Sequence, residues 1–285
     1  MSRYFVDRLA KHFVFLLGIV AFLILVAIAV FIVQGGIPAL REVGLFHFLF
    51  GTQWYPLHDK YGIATMIVGS VLVTALALVI AVPLSLGCAI FLAEVAPPRI
   101  RGITRSAVEL LIGIPSVVYG LVAIVVMLPI IADISGRGSG ASLLAAGIVL
   151  AVMILPTVTA ISADSISAIP AQYKEGALAL GATHWQTIRH VLLPSARRGI
   201  TAAIILGTGR AIGETMAMLM VIGNSPIFPH SIFSPARTLT GNIALEIEAA
   251  TDIHRSALFA TGIVLFVLIM LINSVAFIAY RRARL

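Results

Sequence analysis

Charge is scarce in this chain of 285 residues: Asp, Glu, Lys and Arg make up 11% of it, against 60% hydrophobic residues. Soluble domains hold roughly 45–50% apolar residues. A fully water-exposed surface cannot be built from this composition, so an integral membrane protein is expected. Cysteine is nearly absent. Cys88 stands alone inside an apolar run, which excludes an intrachain disulfide and leaves it a packing role. Lysine is almost as rare. None of Lys11, Lys60 and Lys174 follows Gly or precedes Ser or Thr. A phosphate-cradling P-loop requires that order, so this route to ATP is missing. No His-Glu-x-x-His or paired-Cys spacing offers a metal site. The seven histidines are scattered near the ends of apolar runs and are expected at the interface or in solvent.

What remains is long apolar runs. Six of them reach about the 20 residues that cross a bilayer as a helix: 13–33, 61–93, 108–131, 143–163, 200–223 and 257–280. The first exceeds the roughly 7–15-residue core of a signal peptide and no Ala-x-Ala site closes it. It reads as a retained helix. Pro83, Pro115, Pro129 and Pro156 lie inside runs, where neighbouring helices re-satisfy the freed backbone groups; Pro83 is expected to kink its helix. Residues 34–60 and 224–256 form outer segments, with Trp54 and Tyr55 as interfacial anchors.

Counting Lys and Arg gives the orientation. The terminal tails, the loop 94–105 and the loop 164–199 hold 13 of them, against five on the other side and Arg210 inside a run. The positive-inside rule places the first set, and both termini, in the cytoplasm.

The longest polar interval of the second half runs over 164–199. Pro170 suits the first turn of a helix, and 171–180 holds good helix formers. Gly181 suits the left-handed position past a helix end. Thr183, with Gln186 three residues on, forms a capping box for a second helix. Trp185, Ile188 and Leu192 share one face of it, and Pro194 is expected to stop it. Glu175-Gly176-Ala177, Gly181 and Val191-x-Leu193-Pro194 resemble the loop signature of permease subunits in bacterial ABC importers. That signature is Glu-Ala-Ala, three residues, Gly, nine residues, Ile-x-Leu-Pro. Gly176 and Val191 are mild departures. The resemblance implies a coupling helix that docks on a separate ATP-hydrolysing subunit, through Glu175, Gly176, Ala177, Gly181, Leu193 and Pro194.

The run 200–223 carries Arg210 and Glu214, whose spacing puts them on one helix face. An Arg near the bilayer centre costs about 2.5–3.5 kcal/mol on insertion scales, so both are expected to face each other or a watery cavity. Gly207, Gly209 and Gly213 remove bulk beside them, for a helix or a ligand. A structural ion pair and an anion site both satisfy the pattern. Arg presents a planar fork that takes oxyanions at two points. A nearby carboxylate repels a fully ionised anion but accepts the proton of one that still carries it, which suits hydrogen phosphate better than sulfate. A Glu that only neutralises Arg210 between cycles would leave the same pattern.

The run Gly209-Arg210-Ala211-Ile212-Gly213-Glu214-Thr215-Met216-Ala217, then Gly223-Asn224-Ser225-Pro226, is similar to the permeases of phosphate importers. Arg237-Thr238-Leu239-Thr240-Gly241-Asn242-Ile243-Ala244 extends the likeness. The resemblance implies an all-α membrane protein with the six-helix type I ABC importer fold and a cytoplasmic coupling helix between helices 4 and 5. It implies a permease domain over 62–276, preceded by a tail, first helix and outer segment over 1–61 and followed by a basic tail over 277–285. The implied substrate pathway is Arg210, Glu214, Thr215, Arg237 and Asn242, for phosphate moved across the bacterial cytoplasmic membrane by alternating access. No cofactor is bound by this chain; ATP is used by a partner. The implied partners are a second permease, two ATPase subunits and a soluble phosphate-binding protein. Alternatives are another oxyanion (sulfate, molybdate, phosphonate), an intramembrane enzyme with Glu214 as acid or base, and a passive anion channel. The enzyme lacks a second catalytic group, and the channel has no use for the cytoplasmic helix pair.

Overall fold

The computed structural model describes the backbone of residues 2–136 and 138–282 and the side chains of residues 7–136 and 138–274. The charges of Arg3, Arg137, Arg281, Arg282 and Arg284, and the tail 277–285, lie outside the described side chains. Among the described residues, five helical stretches are long and apolar enough to cross a membrane: Asp7–Val43, Ala64–Val95, Ser116–Ser135, Leu143–Ser167 and Asp252–Ser274. The sixth expected crossing is a helix broken in its second half.

α1 (Ser2–Val43) runs well past the expected end of its span, through Gly35-Gly36 and Pro38. The glycines are not loop punctuation. A Cβ on Gly36 would stand 2.8 Å from the backbone nitrogen of Ala260, and one on Gly35 would meet the Phe259 ring at 2.9 Å. They are the close approach of α1 to the last helix. Here the Ser256 hydroxyl enters the α1 ladder: Ala39 N–H donates to it at 2.9 Å and it donates on to Gly35 O at 2.7 Å. The inserted hydroxyl satisfies backbone groups next to Pro38.

α2 (Leu45–Phe50) leads to a two-residue antiparallel ladder, β1 (Trp54–Tyr55) with β2 (Lys60–Tyr61), registered Trp54 to Tyr61. Trp54 is not an interfacial anchor but is buried, edge-on to Tyr61. Tyr55 is exposed as expected.

α3 (Ala64–Ile90) contains Pro83 and ends in a π turn, Phe91–Val95. Cys88 is exposed on it rather than packed. α4 (Pro98–Gly113) is a separate amphipathic helix, so residues 108–113 do not belong to the third span. The chain extends at Ile114 and Pro115, and the residue before a proline is driven out of helical geometry. The span itself is α5 (Ser116–Val122), a π turn and α6 (Leu128–Ser135).

α7 (Leu143–Ser167) is the central helix, capped by Ser142, whose hydroxyl accepts from Ala145 N–H. Its buried face packs on α3 and on the helix Leu193–Gly213. Reciprocal bonds join α3 and α7: Ser85 Oγ to Leu155 O at 3.1 Å, and Thr159 Oγ1 to Ser85 O at 3.4 Å. In an apolar medium, small and hydroxylated residues let helices approach and bond.

α8 (Ala171–Ala179) and α9 (His184–Thr187) form the polar pair. Pro194 does not stop the second helix. α9 passes through a π turn, Ile188–Leu192, into α10 (Leu193–Gly213), with Pro194 in the first turn of α10. The π turn re-registers the ladder just before Pro194, so the helix runs on past a residue that has no N–H to donate to the preceding turn. After the break come α11 (Met216–Val221), α12 (Leu239–Glu246) and α13 (Asp252–Arg282), the last packed along α1.

Candidate functional site

α10 stops at Gly213 because Glu214 turns extended, with ψ 130°, and Thr215 stays outside helical geometry before α11 begins. Arg210 and Glu214 therefore do not share a continuous helix face, and they form no ion pair. The Glu214 carboxylate turns to the start of α11. Its Oε1 accepts from Thr215 N–H at 3.0 Å and from Ala217 N–H at 3.2 Å, where unpaired N–H groups favour negative charge. Arg210 Nη1 donates to Thr157 Oγ1 on α7 at 3.1 Å. That is the guanidinium's only side-chain hydrogen bond among the described residues, and a guanidinium carries five N–H donors.

The glycines beside these charges divide. Gly207 is a helix contact, since a Cβ there would meet Val158 at 2.7 Å. At Gly209 and Gly213 a Cβ would meet nothing within 4 Å, so no neighbouring helix is packed against these two positions. Thr215 donates its hydroxyl to Gly213 O at 3.2 Å. From α12, Thr240 Oγ1 donates to Glu214 O at 3.0 Å and contacts Thr238 Oγ1, the N-cap of α12. Irregular backbone at membrane depth is tolerated where protein or a cavity satisfies it. Here Thr240 and the Glu214 carboxylate do so. An unwound helix with a charged side chain can receive an anion through the unused donors of Arg210.

Arg237 and Asn242 come together, but in a closed network. Arg237 Nη1 donates to Asn242 Oδ1 at 3.0 Å and to Glu246 Oε1 at 2.7 Å, while Nε donates to Asn224 O at 2.8 Å. Glu246 Oε2 accepts from Trp54 Nε1 at 2.8 Å and lies 2.9 Å from His254 Nε2. The β1–β2 ladder, α12 and α13 are thus joined through one carboxylate. His254 is a partly buried member of that network rather than a solvated residue. Nearby, burial pushes the Tyr61 hydroxyl up, with the Asp59 charge adding to it.

On the opposite side, Gly181 takes φ +86° and ends α8. The capping box is present in both directions: Gln186 N–H to Thr183 Oγ1 at 3.2 Å, and Thr183 N–H to Gln186 Oε1 at 2.8 Å. Ile188 and Leu192 are buried as the pattern requires, but Trp185 is 59% exposed. Leu180, at 91% exposed, joins it with Tyr173 and Leu178 on the outside of the turn. Glu175 and Gly176 are exposed, as is Pro194, while Ala177 and Leu193 are half-buried. Beside the turn, Arg105 bridges Glu109 at 3.2 Å and Asp164 at 3.0 Å. The Glu109 hydrogen bond, then the Asp164 charge, holds the Arg105 guanidinium above its ordinary range.

Sequence reasoning missed Thr157, Glu246 and Glu94. Thr157 is a hydroxyl just after a proline in an apolar helix, which hints at a role without naming a partner. Glu94 is visible only as an acid at the end of the run 61–93, and Glu246 only as one of several acids in the segment 224–256.

Comparison with known proteins identifies the family. Residues 82–285 match the family described as "Binding-protein-dependent transport system inner membrane component". A probable ABC transporter permease protein, YqgH of Bacillus subtilis, is 44% identical over 85% of this chain and 81% of its own. The phosphate transport system permease protein PstC of Haemophilus influenzae is 36% identical over 94% of this chain and 90% of its own. Among solved structures, a bacterial alginate ABC transporter in complex with its alginate-bound periplasmic protein aligns with a TM-score of 0.63. The identity is 19%, over 88% of each chain. That likeness shows the fold, the type I importer permease arrangement. With most of its length matched by one family model and nearly all of it by PstC relatives, the chain belongs to the binding-protein-dependent inner membrane permeases, the transport rather than the ATP-hydrolysing component of ABC importers.

Proposed function

We propose that this chain is the permease subunit of an ATP-driven importer of inorganic phosphate, of the PstC type. The observation that carries the reading is Arg210 at a helix break: one donor goes to Thr157, the others meet no side-chain acceptor among the described residues, and Glu214 is held apart by the N–H groups of α11. Hydrogen phosphate would meet the remaining Arg210 donors, and its proton would meet the second oxygen of Glu214. Thr215 lines the same break. Arg237 and Asn242 belong to the outer wall that an incoming anion passes. Arg237 Nη2 takes no acceptor among the described residues.

In this reading residues 62–276 are the permease unit and α1 is an added helix. Both termini and the α8–α9 turn lie in the cytoplasm. The partners are a PstA-like second permease, two PstB-like ATPase subunits and a PstS-like binding protein. Glu175, Gly176, Ala177 and Gly181 shape the turn that enters the ATPase groove, and Leu193 and Pro194 join it to α10. The exposed Tyr173, Leu180 and Trp185 supply apolar surface for that groove. ATPase closure then moves the turn and alternates access to Arg210.

Labelled phosphate uptake in cells relying on this importer, challenged with arsenate and with sulfate, tests the cargo. Arsenate shares the protonation behaviour of phosphate and competes; sulfate does not. Inhibition by sulfate alone would transfer the reading to another oxyanion.

A further inference from the structure

One carboxylate oxygen fastens the end of α3 to the cytoplasmic turn. Glu94 Oε2 lies 2.6 Å from Lys174 Nζ on α8 and 3.7 Å from His184 Nε2 at the start of α9. Lys174 and His184 stand on opposite sides of Gly181, so a single group reaches across the turn. Glu94 is 10% exposed. Unpairing a carboxylate that buried is strongly unfavourable, which favours keeping the contact as the turn moves.

The position of Glu94 matters as much as its partners. It sits in the π turn Phe91–Val95. Leu92 and Ala93 of that turn share a buried cluster with Ala163 and Ile166 of α7 and Ala196 of α10. α8, by contrast, buries none of its residues. Among the described residues, its one side-chain hydrogen bond to another element is the one from Lys174 to Glu94. Without it, α8 is held only by its packing on α9 and on the π turn that follows, and by the backbone bonds around Gly181.

We propose that Glu94 is a positioning residue for transport. Its pair with Lys174 makes the turn and the inner ends of α3, α7 and α10 move as one body, so that work received at α8 reaches the helix bundle. The inference rests on the docking reading of the turn given above.

The test uses the complete importer in vesicles, scored for phosphate moved per ATP hydrolysed. Glu94→Gln keeps the shape and removes the charge. The variant is expected to assemble and hydrolyse ATP, with phosphate moved per ATP falling by roughly fivefold, as for a partly exposed ion pair. Lys174→Met should match it, and the reversed pair Glu94→Lys with Lys174→Glu should recover most of the ratio. A purely structural role would lower the amount of complex without moving the ratio. An unchanged ratio in Glu94→Gln overturns the proposal, and so does a loss of assembly that the reversed pair fails to restore. Copurification of the unaltered chain with its ATPase is scored in the same preparation. Its absence would strike the docking reading itself, whereas a normal complex with a normal ratio strikes only Glu94.

Discussion

The guanidinium of Arg210 donates to the hydroxyl of Thr157, 3.1 Å away on α7, and not to Glu214 one turn further along the chain. The two intramembrane charges are satisfied separately, one by a neighbouring helix and one by the helix that follows it. Arg210 is therefore oriented while most of its donors stay free. Arg210→Gln should abolish phosphate uptake with the complex still assembled. Undiminished uptake would remove the anion site from this residue.

Thr157→Val preserves shape and deletes the acceptor. A hydrogen bond to a charged group is worth about 1.5–3 kcal/mol, so losing it should weaken apparent phosphate affinity by roughly tenfold or more. Initial uptake rates across a range of phosphate concentrations check this. A changed maximum rate with an unchanged half-saturating concentration would mean that Thr157 does not aim Arg210.

The two glycines of the turn should respond oppositely. Gly181 has φ +86°, and a β-branched residue there is strained by about 1–2 kcal/mol. Gly181→Val should lower copurification with the ATPase and uptake together. Gly176 lies inside α8, and a Cβ there would meet nothing within 4 Å. Gly176→Ala should stiffen α8 by about 0.5–1 kcal/mol and leave transport intact. Equal damage from both would show that the backbone conformation at Gly181 is not what matters.

Ser256→Ala removes the hydroxyl that bridges Ala39 N–H and Gly35 O. Thermal unfolding in detergent should shift down as expected for a loss of about 1–2 kcal/mol. The α1–α13 contact should loosen, as read by crosslinking between cysteines placed on the two helices. An unshifted transition would mean that the α1 ladder closes on itself.

Glu246→Gln should destabilise the outer side by about 2–3 kcal/mol, because it strands the mostly buried Arg237. The measurement is thermal unfolding of Glu246→Gln beside Arg237→Met with Glu246→Gln. The double variant should be less damaged than the single one.

Much of this architecture was legible because bilayers impose crude demands. Apolar runs of about 20 residues and their basic flanks declare themselves, and the cap and left-handed glycine of the α8–α9 turn are local chemistry. The errors have a common source in tertiary contact. Gly35 and Gly36 read as a loop until Phe259 and Ala260 press on them. Pro194 reads as a stop until the π turn before it is seen. Arg210 and Glu214 read as partners because spacing assumes an unbroken helix, whereas the Glu214 backbone is held extended by Thr240 and by the start of α11. Trp54 reads as an anchor because nothing in its neighbourhood announces Glu246, 192 positions away.

The continuity of α9, its π turn and α10 has a mechanical meaning. From Thr183 to Arg210 the helical rise is about 40 Å, with no loop between the α8–α9 turn and the arginine proposed to hold the anion. A tilt of about 5° at the base of such a lever displaces its far end by roughly 3 Å, about one hydrogen-bond length. If Arg210 holds the anion as proposed, a small rocking of the α8–α9 turn is enough to make or break that grip.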